Sequence, residues 1–244
     1  MQVDSEEIDS IARQIKTASE NVELQKNRLE LAHFTADIFY DSGRELHVSG
    51  HLIGLDREEG KSNTGHGDDE AVAVSMLLRI GGQLVSAGAD LLSGARPYAG
   101  AALVRQLVEI EYLAWAFETR DAEGQRWLRS TREERFNFFT PAKLRKAAGN
   151  RFLGKDYGHH CEMGGHPVPG AHILLGDDVG LPQLLLGDML GHSGRIWDHL
   201  VRWASSHSHG ASILRNTKEM SAKYNQWKQN DFLAQLPVPP DVTP

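Results

Sequence analysis

Polar side chains suited to ligand binding stand on either side of an interval of about fifty residues. Arg105 and Glu109 are four residues apart, so a helix places them on one face. His166 follows in a glycine-rich stretch. The planar fork of arginine is suited to carboxylate and phosphate groups. These residues predict a pocket that binds a small anionic or nucleotide-like ligand; the alternative is a buried structural network that fixes helix register.

Several residues of types that bind metals lie close together in the same glycine-rich stretch. They are His159, His160, Cys161, Glu162, His166, Asp177 and Asp178. Adjacent histidines on a helix are poorly placed to bind one ion, and no second cysteine or His-x3-His pair completes a zinc pattern. His192 and His199 share a helical face, but no carboxylate joins them there. The sequence therefore predicts no metal site and no cofactor.

A second arrangement suited to chemistry is Arg202-x4-His207, near the end of a late helix. It resembles the Arg-x4–6-His motif of the helical ribonucleases of the HEPN superfamily. In that superfamily the two residues act on the 2′-hydroxyl and the scissile phosphate, across a dimer and without a metal. The resemblance implies, as an alternative function, a metal-independent endoribonuclease with Arg202 and His207 as catalytic residues.

The pocket residues also carry a wider resemblance. Arg105-x3-Glu109, followed by Tyr157-x3-Cys161-Glu162 and then by His166-Pro167, resembles the helical family DUF5677 over roughly residues 75–210. Cys161 stands where that family has a serine. The resemblance implies an all-helical fold and a site around these residues, but no defined reaction. Relatives are associated with roles in bacterial defence or toxicity.

The helix that must position Arg105 and Glu109 spans about 96–118. Pro97 suits its first turn, and apolar residues occupy nearly every side, which is typical of a buried helix. Its two charges must then be paired in the interior, and His166 is the expected partner. Helical periodicity extends over most of the chain and no strand alternation appears. The sequence predicts an all-α protein: one bundle of six to seven helices over residues 1–236. Within it, 149–180 is a glycine-rich loop with a short helical turn, and 237–244 is a disordered tail.

The N-terminal segment, within residues 1–47, shows a heptad-like apolar seam from Ile8 to Leu46. A continuous helix over 5–47 would be about 65 Å long, whereas a compact domain of this size has a radius of gyration of about 18 Å. The helix must therefore either bend or pair with a partner. We predict a homodimer formed through this helix, and a helix with a break is the alternative.

Composition bounds the class of protein. The net charge is −7, and there is one cysteine among 244 residues, which fits a reducing cytoplasm. The sequence predicts no signal peptide and no membrane-spanning run. Residues 120–155 nevertheless carry a net charge of +6. This basic face is a candidate for RNA or an anionic ligand; the alternative is that it pairs with the protein's own acids. A purely structural, partner-binding bundle is the third functional class.

Overall fold

The computed structural model describes residues 5–50, 55–56, 61–62, 68–149, 151–152, 154–176, 178 and 180–236. The predicted all-α class is confirmed. The prediction of six to seven helices is wrong, because ten α-helices lie within these ranges. They are α1 (Ser5–Glu20), α2 (Val22–Ser49), α3 (Asp69–Ser93), α4 (Pro97–Thr119), α5 (Glu123–Arg129), α6 (Arg132–Phe138), α7 (Pro141–Ala147), α8 (Gly154–His160), α9 (Gly180–Ser206) and α10 (Ala211–Asn230).

Shorter elements complete the described chain. A π-helix, Cys161–Gly165, continues α8, and 3-10 helices span Pro169–Leu175 and Phe232–Gln235. Two two-residue strands, β1 (Leu55–Asp56) and β2 (Lys61–Ser62), pair antiparallel. The segment 149–180, predicted as a loop with one helical turn, is thus largely helical where it is described. The predicted tail, 237–244, lies outside the described residues.

The long N-terminal helix is broken rather than continuous. Asn21 has extended backbone angles, and its side chain accepts a hydrogen bond from the Leu24 N–H at 3.0 Å, which caps α2. The side chain of Gln25 donates to the Ser19 carbonyl at 2.7 Å across the break. The prediction of one helix over 5–47 is therefore wrong, and the alternative of a helix with a break describes the structure.

The second half of the apolar seam packs inside the chain. Phe39 and Leu46 are fully buried on the face of α2 that lies against α3. A Cβ on Gly82 would come within 2.9 Å of the Ala36 carbonyl oxygen, so the two helices approach closely there. In α1, by contrast, Ile8 and Ile11 remain 55% and 38% exposed. The seam thus reflects pairing of α2 with α3, and only its first turns face outward.

The core is built around α3, α4 and α9, which pack against one another. α4 has the buried apolar character that the sequence predicted, with side chains such as Val104 and Leu107 fully enclosed. α3 is long and apolar enough to cross a membrane by length and composition, and 61% of its most apolar window is buried inside the protein. A core helix passes the same test.

A buried ion pair joins the two ends of the described chain. Arg28, fully buried in α2, donates to both carboxylate oxygens of Asp231 at 2.6 and 2.9 Å. It also donates to the Gln183 side chain and the Ala18 carbonyl, each at 2.8 Å. This guanidinium connects α1, α2, α9 and the residue that follows α10. The sequence analysis did not anticipate it.

Candidate metal centre

The segment formed by α8 and the π-helix is seated directly on α4. A Cβ on Gly164 would lie 2.6 Å from the Ala102 nitrogen and 2.8 Å from the Ala101 carbonyl carbon, so only glycine fits at this backbone-to-backbone contact. The π-helix begins immediately after His160. Short π-helical segments occur frequently at functional sites. Here the segment holds the end of α8 beside α9.

Two Asp-x3-His pairs face each other between α8 and α9. Asp156 and His160 lie one turn apart on α8, and Asp188 and His192 repeat that spacing on α9. The two Nε2 atoms, of His160 and His192, are 3.2 Å apart. His160 Nε2 is 3.5 Å from Asp156 Oδ1 and 3.5 Å from Asp188 Oδ2, and His192 Nε2 is 3.5 Å from Asp188 Oδ1. Asp188 thus contacts each imidazole through a different carboxylate oxygen, and Asp156 contacts His160 from the other helix.

The distances within this cluster match the ligand shell of a small cation. Four atoms arranged tetrahedrally about zinc at roughly 2.0–2.1 Å are separated by about 3.3–3.4 Å. The 3.2 Å between the two Nε2 atoms and the 3.5 Å between His160 Nε2 and Asp156 Oδ1 lie around that value. Ligand atoms of Asp156, His160 and His192 all lie within 4.8 Å of one another, and both histidines are buried. The geometry fits a metal ion bound by nitrogen and oxygen atoms.

Glu111 of α4 orients His192 from behind. Its Oε2 lies 2.7 Å from His192 Nδ1, and its Oε1 accepts from Arg195 Nε at 2.9 Å. Burial alone would raise the pKa of Glu111, but His192 and Arg195 outweigh it and lower the pKa below its ordinary value. Arg195 Nη2 also lies 2.7 Å from His192 Nδ1 and can only donate, whereas an ionised Glu111 can only accept, so these two neighbours favour opposite tautomers of His192. A metal ion at Nε2 would select the tautomer with the proton on Nδ1, which then donates to Glu111 as in carboxylate–histidine–metal arrangements.

His160 is surrounded by groups that require a positive charge. Burial opposes protonation of its ring, but Asp156 and Asp188 outweigh burial and raise the pKa of His160. Carboxylate oxygens of Asp156 and Asp188 face His160 Nε2, together with His192 Nε2. The arrangement is satisfied either by a proton on His160 or by a metal ion in the middle.

A second Glu–His–Arg unit lies seven residues further along both helices. Glu118 hydrogen-bonds His199 Nδ1, and it accepts from Arg202 Nε at 2.5 Å and from Arg202 Nη2 at 3.1 Å. Burial would raise the pKa of Glu118, but Arg202 and His199 lower it overall. Burial is the main cause that lowers the pKa of His199. Two turns of helix thus separate two units with the same residue types.

A cavity of about 440 Å³ lies along the two units. It is lined by Glu111, Arg151, Phe152, Asp156, Arg195, Asp198, His199 and Arg202. Asp156 belongs to both the metal cluster and the cavity wall, so the two are contiguous. Three guanidinium groups reach this wall, from α9 and from the chain that precedes α8.

The residues predicted as a ligand pocket are found together, with one exception. Arg105 Nη2 donates to Tyr157 Oη at 3.0 Å, and the Tyr157 hydroxyl donates to Glu109 Oε1 at 2.9 Å. Arg105 Nη2 is also 3.0 Å from Glu109 Oε1, so the two pair within their own helix. Burial is the main cause that raises the pKa of Tyr157, to about 12. The side chains of Arg105 and Glu109 are 26% and 34% exposed, so the expectation of fully buried charges is wrong.

His166 lies apart from this group. Its side chain is exposed, and its backbone N–H donates to the Cys161 carbonyl at 3.2 Å. Within the described part of the chain it forms no ion pair or side-chain hydrogen bond with Arg105 or Glu109. Tyr157 takes the place that the sequence analysis gave to His166, because the π-helix turns the chain after Cys161.

Arg202 and His207, the proposed ribonuclease pair, have separate surroundings. Arg202 is held by Glu118, whereas the His207 ring stacks on Trp203 at 4.3 Å and lies 3.2 Å from Asp68 Oδ2. Across the described residues, no hydrogen bond or ion pair joins Arg202 to His207. An action of both residues on one phosphate remains a prediction.

Part of the basic face 120–155 pairs with the protein's own acids. Arg120 and Arg126 both contact Glu123, at 2.9 and 3.3 Å, and Arg129 contacts Asp69 at 2.8 Å. Arg151, in contrast, forms no ion pair with any residue that the structure describes, and it lines the cavity. Binding of RNA at this face remains a prediction.

Asp156, Asp188, Glu111 and Arg195 are not among the site residues predicted from the sequence. The signal was present: the chain has twelve histidines, and His160 and His192 are the two with an aspartate four residues before them. Proximity in sequence instead groups His160 with His159 and Cys161 in the glycine-rich stretch. His159 is exposed, because neighbouring helix positions point about 100° apart.

Comparisons with protein-family models, curated proteins and solved structures find no match for this chain. The resemblances to DUF5677 and to the HEPN superfamily therefore stay predictions from sequence.

Proposed function

We propose that this protein is a metalloprotein that binds one divalent transition-metal ion through Asp156, His160 and His192. Asp188 lies at the open side of the ion, where its carboxylate or a water molecule completes the coordination. The observation that carries the proposal is that ligand atoms of Asp156, His160 and His192 all lie within 4.8 Å of one another, with the two histidine Nε2 atoms 3.2 Å apart and Asp156 Oδ1 3.5 Å from His160 Nε2. This proposal departs from the sequence prediction of no metal site.

The choice of ligands favours zinc or a similar ion. Imidazole suits zinc, cobalt, nickel and copper, whereas sites for calcium and magnesium use oxygen ligands. Glu111 behind His192 supplies the outer-shell carboxylate that fixes such a histidine. Three protein ligands beside an accessible cavity resemble catalytic zinc sites, in which the ion lowers the pKa of its bound water to about 7. We therefore expect the ion to act on a ligand that enters the cavity.

Calorimetry on chelator-treated protein tests the proposal. We expect one zinc ion per chain, and cobalt substitution should give the intense visible absorption of a tetrahedral site. Asp156→Asn keeps the shape of the side chain but removes the charge, and it should weaken zinc affinity by at least about tenfold. Asp188→Asn should have a smaller effect, because Asp188 occupies the replaceable position.

His199 provides a matched control for His192. Both are buried on α9, and each is hydrogen-bonded by Nδ1 to a glutamate of α4 and approached by an arginine. Their difference is the aspartate one turn earlier, which only His192 has. His192→Ala should abolish zinc binding and His199→Ala should leave it. Failure of the wild type to bind zinc, or equal loss in both variants, would sink the proposal.

The ribonuclease alternative predicts activity that does not depend on a metal ion. A HEPN-type enzyme would cleave RNA in the presence of a chelator, and His207→Ala would abolish cleavage while Asp156→Asn would not. The predicted anionic ligand is compatible with either function. The cavity beside the cluster offers a better place for it than Arg105, whose Nη2 is already shared between Tyr157 and Glu109.

A further inference from the structure

Beyond the metal itself, the paired units on α4 and α9 differ at one position that sets their chemistry. The first unit comprises Glu111, His192 and Arg195, and the second comprises Glu118, His199 and Arg202. Four residues before the histidine, the first unit has Asp188 and the second has Arg195. The histidine of the first unit therefore has a carboxylate one turn before it, which suits a cation. The histidine of the second unit instead has guanidinium groups on both sides along the helix, from Arg195 and Arg202.

These guanidinium groups retain donors for a further anion. A guanidinium has five N–H groups. Glu111 takes one hydrogen bond from Arg195, and Glu118 takes two from Arg202; Nη2 of each arginine also lies within 2.9 Å of Nδ1 of the histidine in its unit, and neither Nη1 is used by these contacts. Their side chains are 41% and 49% exposed, so the remaining donors are accessible from the cavity. Arg151 reaches the same wall without an ion pair among the described residues.

The carboxylates on the wall do not occupy all of these N–H donors. Glu111 is occupied by His192 and Arg195, and Asp156 would be a ligand of the ion. Asp198 is the remaining carboxylate on the wall. Arg195 and Arg202 are already paired with Glu111 and Glu118, so an anion would be held by their free N–H groups, by Arg151 and by the ion rather than by a large net charge. Arginine forks and divalent ions are both well suited to phosphate oxygens.

The shape of the cavity favours a phosphate that carries an organic group. Its volume of about 440 Å³ lies within the usual range for small-molecule sites. Phe152 supplies an apolar wall, and its own ring is fixed by Tyr112, with ring centres 4.2 Å apart. A free phosphate ion would leave this wall uncovered.

We propose that the cavity binds a phosphate monoester, with its phosphate held by Arg151, Arg195 and Arg202 beside the metal ion. This inference rests on the metal site proposed above. It places the phosphate against the second Glu–His–Arg unit, and the organic group against Phe152.

Titration of the zinc-loaded protein with phenyl phosphate tests the inference, with phenol as the probe that lacks the phosphate. We expect phenyl phosphate to bind and phenol not to bind. Arg202→Gln should weaken phenyl phosphate binding by about tenfold or more while zinc affinity is unchanged. Arg215→Gln is the matched control, because Arg215 is also an exposed arginine paired with a glutamate, Glu45, and lies on α10. It should change neither affinity.

The outcomes separate the two proposals. If zinc binds but phenyl phosphate does not, or if Arg202→Gln and Arg215→Gln behave alike, the inference is overturned and the metal site stands. If zinc does not bind, the metal proposal fails. Phenyl phosphate titrated into that metal-free protein then decides the arginine site alone. Binding that is lost in Arg202→Gln supports it, and no binding overturns it.

Discussion

At the scale of single residues, the pair formed by Arg28 and Asp231 has the largest predicted effect on stability. Both side chains are essentially excluded from water. Removal of one partner leaves the other charge buried and unpaired, which typically costs about 3–5 kcal/mol. We expect Asp231→Ala to lower the free energy of unfolding by that amount in urea denaturation. The double change Arg28→Met with Asp231→Leu should cost clearly less, because neither charge remains.

The exposed pair of Arg215 and Glu45 serves as the control for that experiment. Both of its side chains are more than half exposed, so Glu45→Ala should cost no more than about 1 kcal/mol. Equal effects of Asp231→Ala and Glu45→Ala would mean that the buried network does not form.

His207 gives the protein a predictable dependence of stability on pH. Burial lowers the pKa of His207; Asp68 opposes this effect and His209 adds to it. The folded state therefore favours the neutral ring, which stacks on Trp203. The ordinary pKa of histidine is about 6.5. The stability associated with neutral His207 is fully present above that pH, and it is lost as the pH falls through the lower folded-state pKa.

Urea denaturation of wild type and His207→Gln between pH 8 and pH 5 measures this effect. The stability advantage of the wild type over the variant should shrink as the pH falls below about 6.5, since only the wild type has a ring that becomes protonated. An advantage that stays constant, or grows toward low pH, contradicts the assignment.

At the scale of elements, the contact between the π-helix and α4 controls where His160 lies. Gly164→Ala would place a Cβ against the backbone of Ala101 and Ala102, and backbone cannot move aside as a flexible side chain can. We expect a loss of about 1–3 kcal/mol, as for other overpacked sites. Zinc affinity should fall as well, because α8 would be pushed away from α9.

Gly158→Ala is the matched control on α8. Nothing lies within 4 Å of the position of its added Cβ. Alanine is the better helix former by about 0.5–1 kcal/mol, so this variant should be as stable as the wild type or more so. If Gly164→Ala is equally harmless, the π-helix is not seated on α4 as described.

Several elements were predictable because their apolar residues follow the helical period. The buried character of α4 and the face of α2 from Ala32 to Leu46 are examples. A break in the N-terminal helix was an alternative from the sequence, but its position at Asn21 was not predicted, since a polar residue within a heptad pattern is compatible with a continuous helix as well as with a cap. The burial of Arg28 depends on Asp231, 203 residues away in the chain, and local pattern carries no such information.

The candidate site shows the same limit. Arg105 and Glu109 are predicted together from their spacing on one helix, and Tyr157 joins them through the resemblance to DUF5677; the three side chains do meet. The two Asp-x3-His pairs are each readable from the sequence as one-turn neighbours on a helix. That they face each other is a property of how α8 and α9 pack, and 27 residues of irregular composition separate His160 from Asp188.

At the scale of the whole molecule, self-association through the N-terminal helix stays a prediction. It rests on the exposed apolar residues of α1 alone, because the part of the seam in α2 packs inside the chain. Ile8 and Ile11 lie one turn apart on α1 and are substantially exposed. We expect sedimentation equilibrium to show a dimer, and Ile8→Gln with Ile11→Gln to give a monomer of 27.1 kDa. Phe136→Gln is the control, because Phe136 is also exposed but lies on α6. A monomeric wild type would refute the prediction.

In polymer terms, an ion at the junction of α8 and α9 would act as a cross-link. It would tie His160 to His192 and close a loop of about thirty residues that includes the π-helix and the 3-10 helix Pro169–Leu175. A covalent link across a loop of this length stabilises a protein by roughly 3–4 kcal/mol. Metal coordination is reversible, so the restraint would depend on metal supply. Limited proteolysis should then cut the chain between 161 and 187 rapidly in chelator and slowly in zinc, which would couple the lifetime of the protein to the metal content of its surroundings.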